Sequence, residues 1–278
     1  MTQQVKVLVV TGNGTNCERE SSHAFRVAGA DQVDVAMIWD LLAGDVGLAA
    51  YQVLCLPGGF MDGDDLGAGK AAAIRWRYAA VHGGEARLVD QLRAFLEAGK
   101  LVIGICNGFQ LMAKLGLVPA VGGGAAGIGH PTCSLSVNDS GRFEDRWVRL
   151  RLDPASPCVF TRGIELLDVP CRHGEGKVVL ASPAVAAAVE AQHLAPVRYV
   201  DLATDVPTEA YPMNPNGSPG GIAGLCDPTG RVFGLMPHPE AFHHRTNHPH
   251  WTRRSDLPEE GLGIAVFRNA VQCVRAGG

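Results

Sequence analysis

Charge is scarce in this chain. Only 19% of its 278 residues are Asp, Glu, Lys or Arg, and the formal net charge is −4. A protein that grips nucleic acid by neutralising phosphates should be basic, so non-specific nucleic-acid binding is set aside. A disordered chain should be poorer in apolar residues and more highly charged, whereas 46% of residues here are hydrophobic. No apolar run reaches the roughly 18 residues that a membrane-crossing helix needs. The opening Met1–Lys6 lacks the basic start, apolar stretch and cleavage site of a secretory leader, so a cytoplasmic protein is expected.

No C-x-x-C occurs. The eight cysteines, at 17, 55, 106, 133, 158, 171, 226 and 273, are widely and irregularly spaced. In a long chain of a reducing compartment this argues against a disulfide framework and against a structural zinc site. Most should be small buried hydrophobes. Glycine and proline, by contrast, are plentiful at 35 and 17 residues, which implies many tight turns and ordered loops.

Short aliphatic runs stand between turn residues. Val5–Val10, Val33–Ile38, Val53–Leu56 and Leu101–Ile105 read as strands covered on both faces, as in a parallel sheet. Helical spacing follows in Glu18–Ala28, Ala86–Ala98 and Phe109–Leu115, with Gly99 suited to a C-cap. The alternation predicts an α/β fold with a doubly wound, mostly parallel sheet. Beyond about residue 140 the texture changes. Trp147–Leu152, Lys177–Leu180, Val197–Val200, Gly221–Leu225 and Arg231–Met236 read as strands without long helices between them, which predicts antiparallel extensions. Gly263–Arg275 reads as a closing helix, and residues 1–278 as a single domain.

Two Gly-rich stretches imitate phosphate cradles. Gly122-x-Gly124-x-x-Gly127 has dinucleotide spacing, but no clean strand precedes it and no helical pattern follows. Gly69-Lys70 lacks the earlier glycine and the following Ser or Thr of a P-loop, so the chain is expected to bind no ATP itself.

One cysteine has a different setting. Cys106 lies in Gly104-Ile105-Cys106-Asn107-Gly108, with a strand running in and a helix running out. This is the G-x-nucleophile-x-G elbow with cysteine as the nucleophile, a sharp turn that needs small flanking residues. The helix N-terminus favours an anionic sulfur, and the Asn107 N–H points where an oxyanion would form. A thiolate needs a proton carrier, and the carrier needs an orienting group. Met236-Pro237-His238-Pro239-Glu240 offers both, because residues i and i+2 of an extended segment face one side. A second oxyanion donor is expected at Gly59 or Phe60, in the Pro57–Phe60 turn after another strand.

Together these residues resemble a class I (triad) glutamine amidotransferase of flavodoxin-like architecture. More narrowly, the chain resembles the glutaminase components of phosphoribosylformylglycinamidine synthases. Gly14–Glu18, Gly58–Phe60 with Gly63-Asp64, His173–Gly176, and Asn214–Ser218 followed by Gly221–Gly224 match that family's signatures. The resemblance implies Cys106 as nucleophile, His238 as proton shuttle and Glu240 as its orienting group. It implies a glutamine pocket completed by Gln110, His173, Gly174 and Glu175. It implies L-glutamine as substrate and a large synthetase partner, with or without a small accessory subunit. ATP and magnesium would then belong to the partner, with no cofactor or metal in this chain and no nucleic acid or membrane among its partners.

The chain departs from the family at three places. The family run G-G-F-S-Y-G-D-Y-L-R here reads Gly58–Gly67 without its serine, tyrosines and arginine. Gly69–Arg87 is longer than expected, and Ala241 follows the H-P-E motif where an arginine is usual. His243, His244, His248 and His250 crowd one stretch whose spacing permits a metal site, although a solvated or partner-facing loop is the plainer reading. A stand-alone Cys-His-Glu amide or γ-glutamyl hydrolase of the same fold is the competing enzyme class. A non-catalytic scaffold is the third reading, and the intact triad speaks against it.

Overall fold

The computed structural model describes residues 3–122 and 124–277. In chain order the first half contains β1 (Lys6–Thr11), α1 (Glu18–Val27), β2 (Gln32–Met37), α2 (Ile38–Ala43), β3 (Val53–Leu56), α3 (Lys70–Tyr78), α4 (Leu88–Glu97), β4 (Leu101–Ile105) and α5 (Asn107–Leu115). The second half contains β5 (Cys133–Ser136), β6 (Glu144–Leu152), β7 (Leu166–His173), β8 (Lys177–Leu180), α6 (Pro183–Ala191), β9 (Val197–Tyr199), β10 (Ile222–Cys226), β11 (Val232–Leu235) and α7 (Ile264–Arg275).

One nine-stranded sheet runs through both halves in the order β2-β1-β3-β4-β11-β10-β9-β6-β7. The five strands from β2 to β11 are mutually parallel, and the remaining four continue antiparallel. β5 and β8 pair separately as an antiparallel ribbon. The expected α/β architecture with antiparallel extensions is therefore what the chain adopts. β3, β4, β10 and β11 are buried at every position, as continuous aliphatic runs require. β2 at the edge keeps only Ala36 fully inside.

Helices cover the sheet in two packed groups. α1 lies on α7, with Phe25 edge-on to Phe267 at 4.9 Å between ring centres. α3 packs on both α4 and α5. Fully burying one such aromatic side chain stabilises by about 1.5–3 kcal/mol.

Five elements were not foreseen: α2, α3, β5, β7 and α6. β7 contains Pro170, which ordinarily disrupts a strand; here β7 is the sheet edge and needs no N–H at that position. α6 is Ala-rich without an apolar stripe, and it is started by Ser182, whose Oγ accepts the Val185 N–H at 3.3 Å, with Pro183 opening the helix. It corrects the expectation of a second half without such helices. α3 occupies the first half of the long segment Gly69–Arg87.

The Gly122–Gly127 decoy opens no α-helix. Residues 124–127 form a short 3-10 turn, and Gly123 lies outside the described residues. No helix among the described residues is long and apolar enough to cross a membrane.

Candidate active site

β1, β3, β4 and β11 are parallel neighbours in the sheet, so their carboxyl ends open on one edge. Ligands of doubly wound sheets collect there. Cys106 sits between β4 and α5 with φ 51° and ψ −106°, a conformation that L-residues rarely adopt. Such strain costs about 1–3 kcal/mol and is held by surrounding structure. Here the clamps are explicit. The Cys106 N–H donates to Leu235 O at 2.8 Å, and its carbonyl accepts the Gln110 N–H at 3.0 Å. Gly104 and Gly108 leave no room for side chains: a Cβ on Gly104 would lie 2.2 Å from Met112 Sδ, and one on Gly108 1.9 Å from Leu56 O. The sequence pattern G-x-C-x-G thus records a tight passage of α5 across β3 and β4.

His238 and Glu240 follow β11. The His238 N–H donates to Pro170 O at 2.8 Å, so the unforeseen edge strand fixes the backbone of this histidine. His238 Nδ1 donates to Glu240 Oε1 at 2.6 Å, with both side chains buried. That pairing leaves Nε2 as the outer nitrogen, and it has no hydrogen-bond partner. Burial alone would push the His238 pKa down. The charge of Glu240 and the Cys106 thiol outweigh it and hold the ring well above the ordinary histidine range. An imidazolium beside a cysteine is the protonation pattern that supports a thiolate.

Cys106 and His238 share a cavity of ≈ 90 Å³ with Asn16, Cys17, Gly59, Phe60, Phe143 and Arg172. A larger cavity of ≈ 670 Å³ between α3, α5 and the β5–β8 ribbon is lined by none of Cys106, His238 and Glu240. Gly58 marks how closely the walls approach. A Cβ there would stand 2.8 Å from His238 Cε1 and 3.4 Å from Cys106 Cβ.

The two oxyanion candidates after β3 separate. The Phe60 N–H donates to Gly14 O at 2.8 Å, because the Gly14 turn folds against this loop, so Phe60 is not a spare donor. Gly59, at φ 146°, lies so close to the Gly14 turn that a Cβ on it would stand 2.7 Å from Thr15 Cα, and its amide is the remaining candidate. Asn107 occupies the first turn of α5, where a backbone N–H has no partner within its own helix. Its side chain ties the site together. Oδ1 accepts the Met61 N–H at 2.9 Å, and Nδ2 donates to Asp64 Oδ1 at 3.0 Å and Gln110 Oε1 at 2.8 Å.

Gln110 is buried, and its Nε2 donates to Glu175 O at 2.6 Å. Gln110 therefore holds the His173–Gly176 loop to α5. Glu175 Oε2 in turn accepts the Ala68 N–H at 3.3 Å. The Gly174 carbonyl accepts the Asn138 N–H at 2.9 Å. His173 is buried and donates from Nδ1 to Asn138 Oδ1 at 3.1 Å. Burial, then the charge of His238, pushes its pKa down to about 4, so this ring is neutral at pH 7. None of His173, Gly174 and Glu175 lines the small cavity.

Sequence reasoning missed several residues. Arg172 lines the cavity, its carbonyl accepts the Cys106 thiol at 3.5 Å, and its buried Nε and Nη2 have no partner. Only its place beside the His173–Gly176 signature pointed to it. Asn138 makes four bonds to the loop, since it also accepts the Gly176 N–H and donates to the His173 carbonyl, and a fifth to the Arg142 carbonyl. In the sequence it is one polar residue before a turn. Cys17 approaches His238, with Sγ 3.9 Å from its Nδ1. The histidine-rich stretch does not converge. His243 stacks edge-on against His23, His248 packs on Trp147, and His244 caps the turn Arg245–Asn247.

The geometry is that of a thiol acyl-transfer site, and likeness to known proteins agrees. Residues 4–274 match the CobB/CobQ-like glutamine amidotransferase domain. The chain is 42% identical over 272 residues to the phosphoribosylformylglycinamidine synthase subunit PurQ of Dehalococcoides mccartyi, covering 98% of both chains. The chain belongs to the PurQ family of glutamine amidotransferases. A PurQ subunit of Methanococcus maripaludis is 37% identical, with 96% of each chain covered. Among solved structures, PurLQS from Thermotoga maritima superposes with a TM-score of 0.68 at 27% identity, covering 98% of this chain and 99% of the other. This amidotransferase keeps all eight cysteines unbridged and buried.

Proposed function

We propose that this chain, acting as one amidotransferase domain, is the glutaminase subunit of a phosphoribosylformylglycinamidine synthase, with Cys106, His238 and Glu240 as its triad. The observation that carries the assignment is the strained Cys106 elbow sharing a cavity with the buried His238–Glu240 pair. The family membership of nearly the whole chain supports the substrate and the partner.

The reaction follows from the placement. Cys106 thiolate attacks the side-chain amide carbon of L-glutamine, and the carbonyl oxygen takes the displaced electron pair. The N–H groups of Asn107 and Gly59 face that oxyanion. His238 gives its Nε2 proton to the departing nitrogen, releasing ammonia and leaving a γ-glutamyl thioester on Cys106. Water then attacks the thioester, His238 accepts its proton, and glutamate leaves. Glu240 holds the ring's orientation and charge throughout. Arg172, which lines the cavity with Nε and Nη2 unpartnered, would receive the substrate's α-carboxylate. Ammonia passes to the large synthetase subunit, which supplies the ATP chemistry. Cytoplasm is the compartment this reading implies.

Reconstitution tests it. With the cognate synthetase, glutamine should drive amidine formation, and Cys106→Ala should abolish that while leaving ammonium-driven formation intact. Rapid hydrolysis by the isolated chain, with no transfer of glutamine nitrogen to the amidine, would support the stand-alone hydrolase instead.

A further inference from the structure

Cys17 is a titratable side chain on the cavity that the glutaminase chemistry leaves idle. Its N–H donates to Gly58 O at 3.2 Å, which fixes the residue against the loop after β3. Its Sγ, a His238 ring nitrogen and a Glu240 carboxylate oxygen all lie within 4.8 Å of one another, and all three side chains are buried. The Sγ–Nδ1 distance is 3.9 Å. Sulfur and nitrogen ligands of a tetrahedral zinc ion stand about 3.6 Å apart, so this pair already has nearly the required spacing. The 2.6 Å contact between His238 Nδ1 and Glu240 Oε1 must open by about 0.7 Å to admit the ion. A second observation points to a ligand here. Glu240 Oε2 is fully buried and has no hydrogen-bond partner. An unpartnered buried carboxylate oxygen is costly, and a cation would satisfy it.

We propose that Cys17, His238 and Glu240 form an inhibitory binding site for a zinc-class divalent cation. Sulfur and nitrogen donors select zinc over magnesium or calcium. One thiolate and one carboxylate balance the ion's two charges. On binding, Cys17 gives up its S–H proton and His238 its Nδ1 proton, both to solvent buffer, and water completes the shell. The metal-bound ring retains a proton on Nε2. To give that proton to the leaving nitrogen it would have to become imidazolate, so turnover stops. The cation is not a cofactor of the reaction; it captures the proton shuttle. The inhibitory consequence rests on the glutaminase reading, whereas metal binding itself does not.

The test is titration of chelator-treated protein with Co²⁺, a spectroscopic stand-in for zinc, followed by competition with Zn²⁺. Cys106→Ala should still bind one equivalent with a thiolate-to-cobalt absorption band, because the sulfur ligand is Cys17. Cys17→Ser and Cys17→Ala should each lose that band and weaken zinc binding at least about a hundredfold, since changes merely outside a metal's ligand shell cost about 10–100-fold. In the wild type, Zn²⁺ should inhibit reversibly, and each Cys17 variant, referred to its own metal-free rate, should need correspondingly more. A band lost in Cys106→Ala and kept in Cys17→Ser would place the metal on the nucleophile and overturn the proposal. So would the absence of any thiolate band in the Cys106→Ala protein, whose Cys17 is untouched.

Discussion

Replacing Glu240 by glutamine changes one charge and almost no volume, which makes it a sharp probe of the triad. The bond from His238 Nδ1 to Glu240 Oε1 is 2.6 Å long and buried. Hydrogen bonds to a charged group contribute about 1.5–3 kcal/mol, and each 1.36 kcal/mol in a barrier is tenfold in rate. Loss of the carboxylate's charge alone should therefore lower kcat by about 10- to 100-fold. A second effect adds to it. The glutamine amide can donate to Nδ1, which moves the neutral ring's proton to Nε2 and leaves no base for deacylation. In the serine-protease triad, the corresponding change costs about 10⁴-fold. We expect a fall in kcat of about 10²- to 10⁴-fold, with KM changed less than about threefold because Glu240 does not line the cavity. The pH profile should move as well. Glu240 raises the His238 pKa, so the alkaline limb, where the imidazolium is lost, should shift to lower pH in the variant. Glutamate release over a range of glutamine concentrations and pH, with the synthetase present, reads all three. A kcat within threefold of wild type, in a variant with an unchanged thermal midpoint, would refute the reasoning.

Other expectations follow from single contacts. Gly108→Ala would drive a methyl to 1.9 Å from the Leu56 carbonyl, so denaturant unfolding should show a loss of about 3 kcal/mol and labelling of Cys106 should fail. His173 is held neutral with a pKa of about 4 against 6.5 unfolded, so the unfolded chain binds the extra proton between those values. Stability should then fall by about 3 kcal/mol as pH drops from 6.5 to 4, and His173→Gln should flatten that slope. Arg172→Met should raise KM for glutamine by at least about tenfold with little change in kcat, while the rate on glutaminamide, which lacks the carboxylate, should hardly move.

The parts of the fold legible in the sequence were those driven by local pattern. Val53–Leu56 and Leu101–Ile105 are buried on both faces, and their boundaries coincide with β3 and β4. The elbow was legible because its glycines answer to close contacts with Met112 and Leu56, so chemistry and packing leave the same mark. What could not be read depends on the third dimension. Proline ordinarily breaks a strand, and only the edge position of β7 makes Pro170 tolerable and gives its carbonyl to His238. Phe60 and Gly59 are adjacent in sequence and equivalent as donors until the Gly14 turn claims one amide. Gln110 stands in the motif like a substrate ligand, yet Asn107 and Glu175 occupy its amide. Cys17 lies 89 residues before the nucleophile, and no spacing rule connects it to His238.

The central claim is that Cys106 is the nucleophile toward glutamine. A diazo-ketone analogue of glutamine, followed by peptide mapping, tests it in a single turnover and so does not depend on a fast enzyme. The cavity holds two thiols, which makes the outcome discriminating. The account predicts one added mass, confined to the peptide carrying Cys106 and blocked by free glutamine. Modification of Cys17 with Cys106 left unlabelled would contradict it.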